Sequence, residues 1–140
     1  MNGVIGNLCL RLLVLVLMAL MAAPVTACTP QVRYMEPARL AALIAQDKAG
    51  STFNLVDLRN RQAYRTLHIP GALNIPYEAL ASDRTLYYDS LPVVFYDHGE
   101  PDVRRLKEGL GSRLPENIVV LSGGFRRWLK NGLPVRKGGT

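Results

Sequence analysis

The sequence predicts a single α/β domain whose sheet is mostly parallel and flanked by helices on both faces. Three observations carry this. Strand-like runs alternate with helix-like runs, the pattern of parallel strands joined by crossover helices. At least three of the strands look buried, among them LPVVFY (Leu91–Tyr96) and NIVVL (Asn117–Leu121), whose near-continuous apolar character suits strands covered on both faces. The chain has 140 residues, 49% of them hydrophobic, enough for one core and too few for two ordinary domains.

The elements follow in order. Thr29–Met35 reads as a short tether or an edge strand. EPARLAALIAQ (Glu36–Gln46) is helical: Leu40, Leu43 and Ile44 fall on one face, and Pro37 suits the first turn. Gly50 ends that unit. TFNLVDL (Thr52–Leu58) is a strand of alternating apolar residues, and Asn60–Thr66 a short helix. HIPGALNIP (His68–Pro76) is irregular with strand-like ends, because its two prolines exclude a regular central strand. Tyr77–Ser82 is a short helix. Tyr87–Tyr88 is an exposed aromatic pair in a loop, either a partner contact or packing. After Leu91–Tyr96 comes an amphipathic helix, Val103–Leu114. Asn117–Leu121 is a buried strand, and GGFRRWLKNG (Gly123–Gly132) is a final helix, closed by Gly132 after Asn131.

The first 27 residues stand apart from that domain. Met1–Leu10 holds no acid, Arg11 is the sole base, and Leu12–Ala23 is unbroken apolar sequence. A dozen residues are too few to span roughly 30 Å of hydrocarbon, so the run reads as the apolar region of a secretory signal peptide. The alternatives are a buried core helix or a retained membrane anchor. PVTAC (Pro24–Cys28) resembles a bacterial lipobox, which implies cleavage before Cys28, a diacylglycerol thioether on its sulfur and an acylated amine, palmitate being a typical acyl group. Two or more chains, at about 0.8 kcal/mol per buried methylene, hold a protein on a membrane. Ordinary cleavage leaving a free Cys28 is the other reading. Thr29, in place of an aspartate, favours the outer membrane in a Gram-negative host. We assign 1–27 to a lipoprotein-type signal, 28–33 to the lipidated N-terminus and tether, 34–136 to the domain and 137–140 to a tail. Cys9 lies in the leader and Cys28 at the tether, so no internal disulfide staples the domain.

In parallel α/β sheets, sites form outside the carboxyl ends of the strands. Here those ends are Asp57–Arg59, Asp97–Asp102 and Ser122–Gly124. The formal charge is +6, but the bases are spread along the chain apart from the pairs Arg104–Arg105 and Arg126–Arg127. An exported domain with this distribution excludes nucleic acid as a partner. The excess reads as solvated helix faces that favour anionic lipid headgroups.

LVDLRNRQAYRTLHIPGALNIP, VVFYD and VVLSGGFRRWLKNGLPV, in that order and spacing, resemble the rhodanese-like family over about residues 34–136. The resemblance implies a compact domain on a central five-stranded parallel sheet, with family-motif positions at Asp57, Arg59, His68, Gly71, Gly123 and Gly124. In active members a cysteine ending the central strand carries sulfane sulfur as a persulfide. The family loop there reads approximately Cys-x-x-Gly-x-Arg. Here the window is Asp97, His98, Gly99, Glu100, Pro101 and Asp102, so Asp97 stands at the cysteine position, the glycine comes one place early and Asp102 replaces the arginine. Ala63 and Leu67 also depart from the pattern.

A carboxylate cannot form a stable persulfide, because sulfur transfer needs a polarizable thiolate. Asp97, Glu100 and Asp102 are also expected to repel a dianionic substrate. Each like-charge contact at about 4 Å costs roughly 1 kcal/mol in water and about 4 at an effective dielectric of 20. A structural account places Pro101 first in the following helix, Glu100 as its cap and Asp102 in its first turn, with the Asp97 carboxylate filling the loop's own nest of N–H groups. Asp97, His98, Glu100 and Asp102 are alternatively oxygen and imidazole ligands for a metal, although their spacing matches no known metal loop. His68 reads as a hydrogen-bonded hinge, Asp57 and Arg59 as paired with their surroundings, and Phe125 and Trp128 as plugs against the sheet.

The sequence thus describes an exported, membrane-anchored lipoprotein facing the periplasm or cell exterior. Its domain is a rhodanese-like binding module without the sulfur-accepting cysteine and calls for no cofactor. Its partners are the membrane, through the lipid, and a protein or small anion-like ligand. The competing class is an atypical enzyme, sulfurtransferase-related or metal-dependent, at residues 97–102.

Overall fold

The computed structural model describes residues 31–46, 52–85, 91–115 and 117–138. The leader, Cys28, Gly50 and the Tyr87–Tyr88 pair lie outside them. Five strands form one sheet: β1 (Gln31–Met35), β2 (Asn54–Asp57), β3 (Leu73–Asn74), β4 (Val93–Tyr96) and β5 (Asn117–Leu121). Their order is β1-β5-β4-β2-β3 and every neighbouring pair is parallel. Among the described residues four α-helices accompany the sheet: α1 (Pro37–Gln46), α2 (Arg61–Thr66), α3 (Val103–Leu110) and α4 (Gly124–Lys130). The α/β architecture expected from the sequence is the one the chain adopts.

The pleat of β4 divides the core in two. Val94 and Tyr96 point into a layer with Leu40 of α1 and with Phe125 and Trp128 of α4. Val93 and Phe95 point to the opposite layer, with Leu106 and Leu110 of α3. All four residues are buried, as a central strand covered on both faces requires. The alternation expected along Thr52–Leu58 does not hold: Leu55, Val56 and Asp57 are all buried, because β2 sits between β4 and β3 with helices above and below. The prolines at 70 and 76 restrict β3 to two residues at the sheet edge. At the other edge β1 pairs with β5 from Gln31 onward, the edge-strand alternative for this stretch.

Helix lengths differ from expectation for local reasons. Pro37 opens α1 as predicted. Gly111, at φ +55°, ends α3 and hands over to a 3₁₀ turn, Gly111–Arg113, so the single helix expected through Leu114 is broken. The Arg113 guanidinium folds back onto the carbonyls of Leu80, Ala81 and Asp83. The predicted helix Tyr77–Ser82 is one 3₁₀ turn, Tyr77–Ala79. Gly132, at φ +64°, closes α4 after Asn131, as expected.

Trp128 is 1% exposed and donates from Nε1 to the Pro134 carbonyl at 2.8 Å, tying the chain after α4 back to the core. Trp128→Ala should therefore lose roughly 3–5 kcal/mol of stability in urea unfolding, whereas Leu129→Ala, at a residue 44% exposed, should shift it by about 0.5 kcal/mol or less.

Candidate functional site

β4 delivers the loop Asp97–Asp102 at its carboxyl end, and α4 presses against it. The amide N–H of Phe125 donates to the Asp97 carbonyl (2.8 Å) and that of Arg126 to the His98 carbonyl (2.9 Å). This approach is possible only because Gly123 and Gly124 both take positive φ, +68° and +57°. A Cβ on Gly124 would lie 1.8 Å from the Gly99 carbonyl oxygen and 2.6 Å from that of Asp97. The tight turn anticipated from the glycine pair is thus also the contact that shapes the loop.

The three acids of the loop do different things. Asp97 is half-buried, and its Oδ1 accepts from the neighbouring His98 N–H at 2.7 Å. The carboxylate therefore takes up one N–H of its own loop. Asp102 is itself the cap of α3, accepting from the N–H groups of Arg104 and Arg105. The expected assignment of Glu100 as cap and Pro101 as first helical residue is corrected accordingly. Asp102 has the short side chain that reaches those N–H groups, and Pro101 is instead buried one position ahead of the cap. Glu100 is exposed and lines a shallow depression of about 410 Å³ together with Gly99, Gly123, Arg126, Arg127 and Lys130.

That depression corrects the electrostatic expectation. Three bases of α4 face the loop, against one acid. The Arg126 guanidinium lies over Gly99, with its NH2 3.1 Å from where a Cβ would stand. Arg127 is held by Glu36 (2.7 Å) and by Ser122. Arg126 and Lys130 make no ion pair among the described residues. Arg126 and Arg127 are both exposed, as expected for that basic pair. The Gly-Gly turn in addition brings the first turn of α4 over the β4 loop.

The metal alternative finds no such cluster. Among the described residues no three His, Cys, Asp or Glu side chains stand close enough to hold a metal ion. Asp97 and Asp102 are turned to separate backbone donors.

Beneath the loop, Asp57 and Arg59 pair directly with each other rather than with their surroundings alone. Arg59 NH2 lies 2.6 Å from Asp57 Oδ2, and the pair is almost fully buried. Burial alone lowers the pKa of the guanidinium, but the bonds and charge of Asp57 outweigh it and the net shift is upward. Burial, then the Asp57 carboxylate, holds the Tyr96 phenol well above its ordinary range. Tyr77, which the sequence reading passed over, accepts the Asp102 N–H at 2.8 Å and carries the Arg105 guanidinium over its ring at 4.1 Å. Burial pushes its phenol up to about 12. Its position one residue after the HIPGALNIP segment gave no sign of this role.

His68 and Gly71 are not brought to the loop. His68 is the hydrogen-bonded residue expected: its Nδ1–H donates to the Tyr64 carbonyl at 3.0 Å, and its ring stacks on Tyr64 at 4.0 Å. Gly71 turns the chain at φ +82°. Phe125 and Trp128 plug the sheet as expected.

The rhodanese-like domain family matches residues 36–131, more than half of the chain. The chain belongs to the rhodanese-like domain family. The domain is 33% identical over 103 residues to an HTH-type transcriptional regulator of Mycobacterium tuberculosis, a match that takes in 70% of this chain and 43% of that one. This chain therefore spans less than half the length of that relative. The BH2092 protein of Bacillus halodurans has the same fold, at TM-score 0.61 and 24% identity over 74% of this chain and 76% of that one. So does a thiosulfate sulfurtransferase of Pseudomonas aeruginosa, at 0.63 and 20%, over 78% of this chain and 20% of that one.

Gly124→Ala should open the contact between the rhodanese-like loop and α4. Strain at positive φ and the clash with Gly99 together should cost roughly 2–5 kcal/mol in urea unfolding. Gly132→Ala, also at positive φ but with open space around it, should lose only about 1–2. Equal losses in the two variants would show that the loop contact contributes nothing.

Proposed function

We propose that this rhodanese-like domain does not carry sulfur and instead serves as a binding module, held at a bacterial membrane by a lipid on Cys28. The observation that carries the reading is Asp97 at the end of β4, the position at which the family resemblance expects the persulfide-forming cysteine. A carboxylate oxygen offers no thiolate for the transfer. The two cysteines of the sequence, Cys9 and Cys28, both precede the sheet and supply no substitute. The shape of the loop supports binding: Arg126 and Lys130 rim a shallow depression beside Glu100 without intramolecular ion pairs among the described residues. The partner is accordingly a protein segment or small ligand that presents an anionic group and tolerates one acid.

Thiosulfate:cyanide turnover tests the chemistry. The wild-type chain should show none above the blank, and Asp97→Cys little or none, because the loop still has its glycine one place early, at Gly99, and Asp102 where the family pattern has an arginine. A respectable wild-type rate would overturn the reading. Intact-mass analysis of protein extracted from membranes tests the anchor. The expected mass is that of a chain beginning at Cys28 plus its acyl groups; a free Cys28 thiol on the cleaved chain would remove the lipid from the account.

A further inference from the structure

A second depression, of about 450 Å³, lies beside α2 and the chain after α4, and nothing in the proposed function uses it. Its rim carries four cations: Arg61 and Arg65 from α2, and Arg136 and Lys137 from the C-terminal segment. No carboxylate lines it. Among the described residues none of the four forms an ion pair.

The four charges are held together by backbone rather than gathered by chance on mobile stems. Arg61 and Arg65 stand four residues apart on one helix, hence on one face, where like charges repel. Arg136 is tied to His68 by a reciprocal pair of backbone hydrogen bonds, both 2.8 Å. The Gly138 N–H donates to the Arg65 carbonyl at 2.9 Å, and a Cβ on Gly138 would come within 2.7 Å of Arg65 Cα. The segment is therefore pressed flat against α2. The fold fixes an arrangement that is unfavourable while empty and becomes favourable once an anion enters.

The wall supplies a further polar atom. A carbonyl oxygen only accepts, so His68 Nδ1 must carry the hydrogen it shares with the Tyr64 carbonyl. His68 Nε2 makes no hydrogen bond among the described residues. Yet no described buried side-chain nitrogen lacks a partner. Nε2, left with its lone pair, must then reach solvent, and the depression is the opening that His68 lines, where this nitrogen can accept from a hydroxyl of an incompletely ionised oxyanion.

We propose that this cleft binds an oxyanion of the phosphate or sulfate type, either free or carried as the headgroup of an anionic lipid. The assignment stands independently of the reading of Asp97.

The test is an amide-resonance titration of the full-length 15N-labelled chain, in neutral detergent and at constant ionic strength. The probes are pyrophosphate and glycerophosphoglycerol, the latter a lipid headgroup without its chains. Saturable shifts confined to Arg65, His68 and Arg136–Gly138, with half-saturation below about 1 mM, are expected for at least one probe. Tighter binding of pyrophosphate identifies a free oxyanion, and tighter binding of the diester a lipid headgroup. Arg61→Gln and Arg65→Gln, both at exposed positions, should each weaken binding roughly tenfold. Lys107→Gln, exposed on α3, should leave it unchanged. Resonances away from the cleft report directly that each variant is folded. Absence of saturation with both probes would overturn the proposal. So would shifts that persist unchanged in Arg61→Gln and Arg65→Gln, which would indicate general ionic screening.

Discussion

The buried guanidinium of Arg59 is the point on which the rest of the structure hangs. It closes a fork on the Asp57 carboxylate through Nε and NH2, and the same NH2 reaches the Leu67 carbonyl at 2.7 Å. Its Cζ lies 3.8 Å from the Phe125 ring centre and 5.6 Å from that of Tyr96. One side chain therefore joins the end of β2, the exit of α2, the end of β4 and the first turn of α4. Removing one partner of such a buried pair typically costs about 3–5 kcal/mol, because the other charge is left without compensation. A desolvated cation over an aromatic face adds attraction of about 2 kcal/mol. With Phe125 fixed in this way, the Gly123–Gly124 turn that precedes it is fixed too, and so is the β4 loop that the turn supports.

That chain of constraints determines what the loop presents to solvent. From residue types alone the loop looks acidic, with Asp97, Glu100 and Asp102 in one window. In the fold, Asp102 is consumed in capping α3 and Asp97 turns toward the His98 N–H. The surface seen by a ligand is shared between Glu100 and the bases of α4. On our reading, what separates this loop from sulfur chemistry is then the atom at position 97, more than the field around it.

The core was legible because burial on both faces writes an unmistakable pattern. Val93–Tyr96 and Asn117–Leu121 leave little choice but interior parallel strands, and the prolines flanking Leu73–Asn74 exclude a long one. The fold gathers the motif positions Asp57, Arg59, Gly123 and Gly124 around the β4 loop. Two kinds of feature were not legible. The contact of Tyr77 with Asp102, and those of Arg59 with Tyr96 and Phe125, join segments far apart in sequence, which spacing does not encode. The direction of Arg126 depends on a positive-φ turn whose approach to the loop is set by a carbonyl contact, not by helical periodicity. The break of α3 at Gly111 belongs to a third kind: the glycine was visible, but an amphipathic pattern that runs across it outweighed it in the reading.

The same geometry separates the residues that frame the site from those it displays. The residues that distinguish residues 97–102 from the family pattern are half-buried or exposed, Pro101 excepted. Replacing such side chains ordinarily moves stability by about 0.5 kcal/mol or less. Asp102 even contributes a cap, worth roughly 1 kcal/mol. The residues that hold the loop in place are, by contrast, buried or sterically exclusive: Arg59, Phe125 and Gly124. Stability thus constrains the frame of the site far more tightly than the groups it displays.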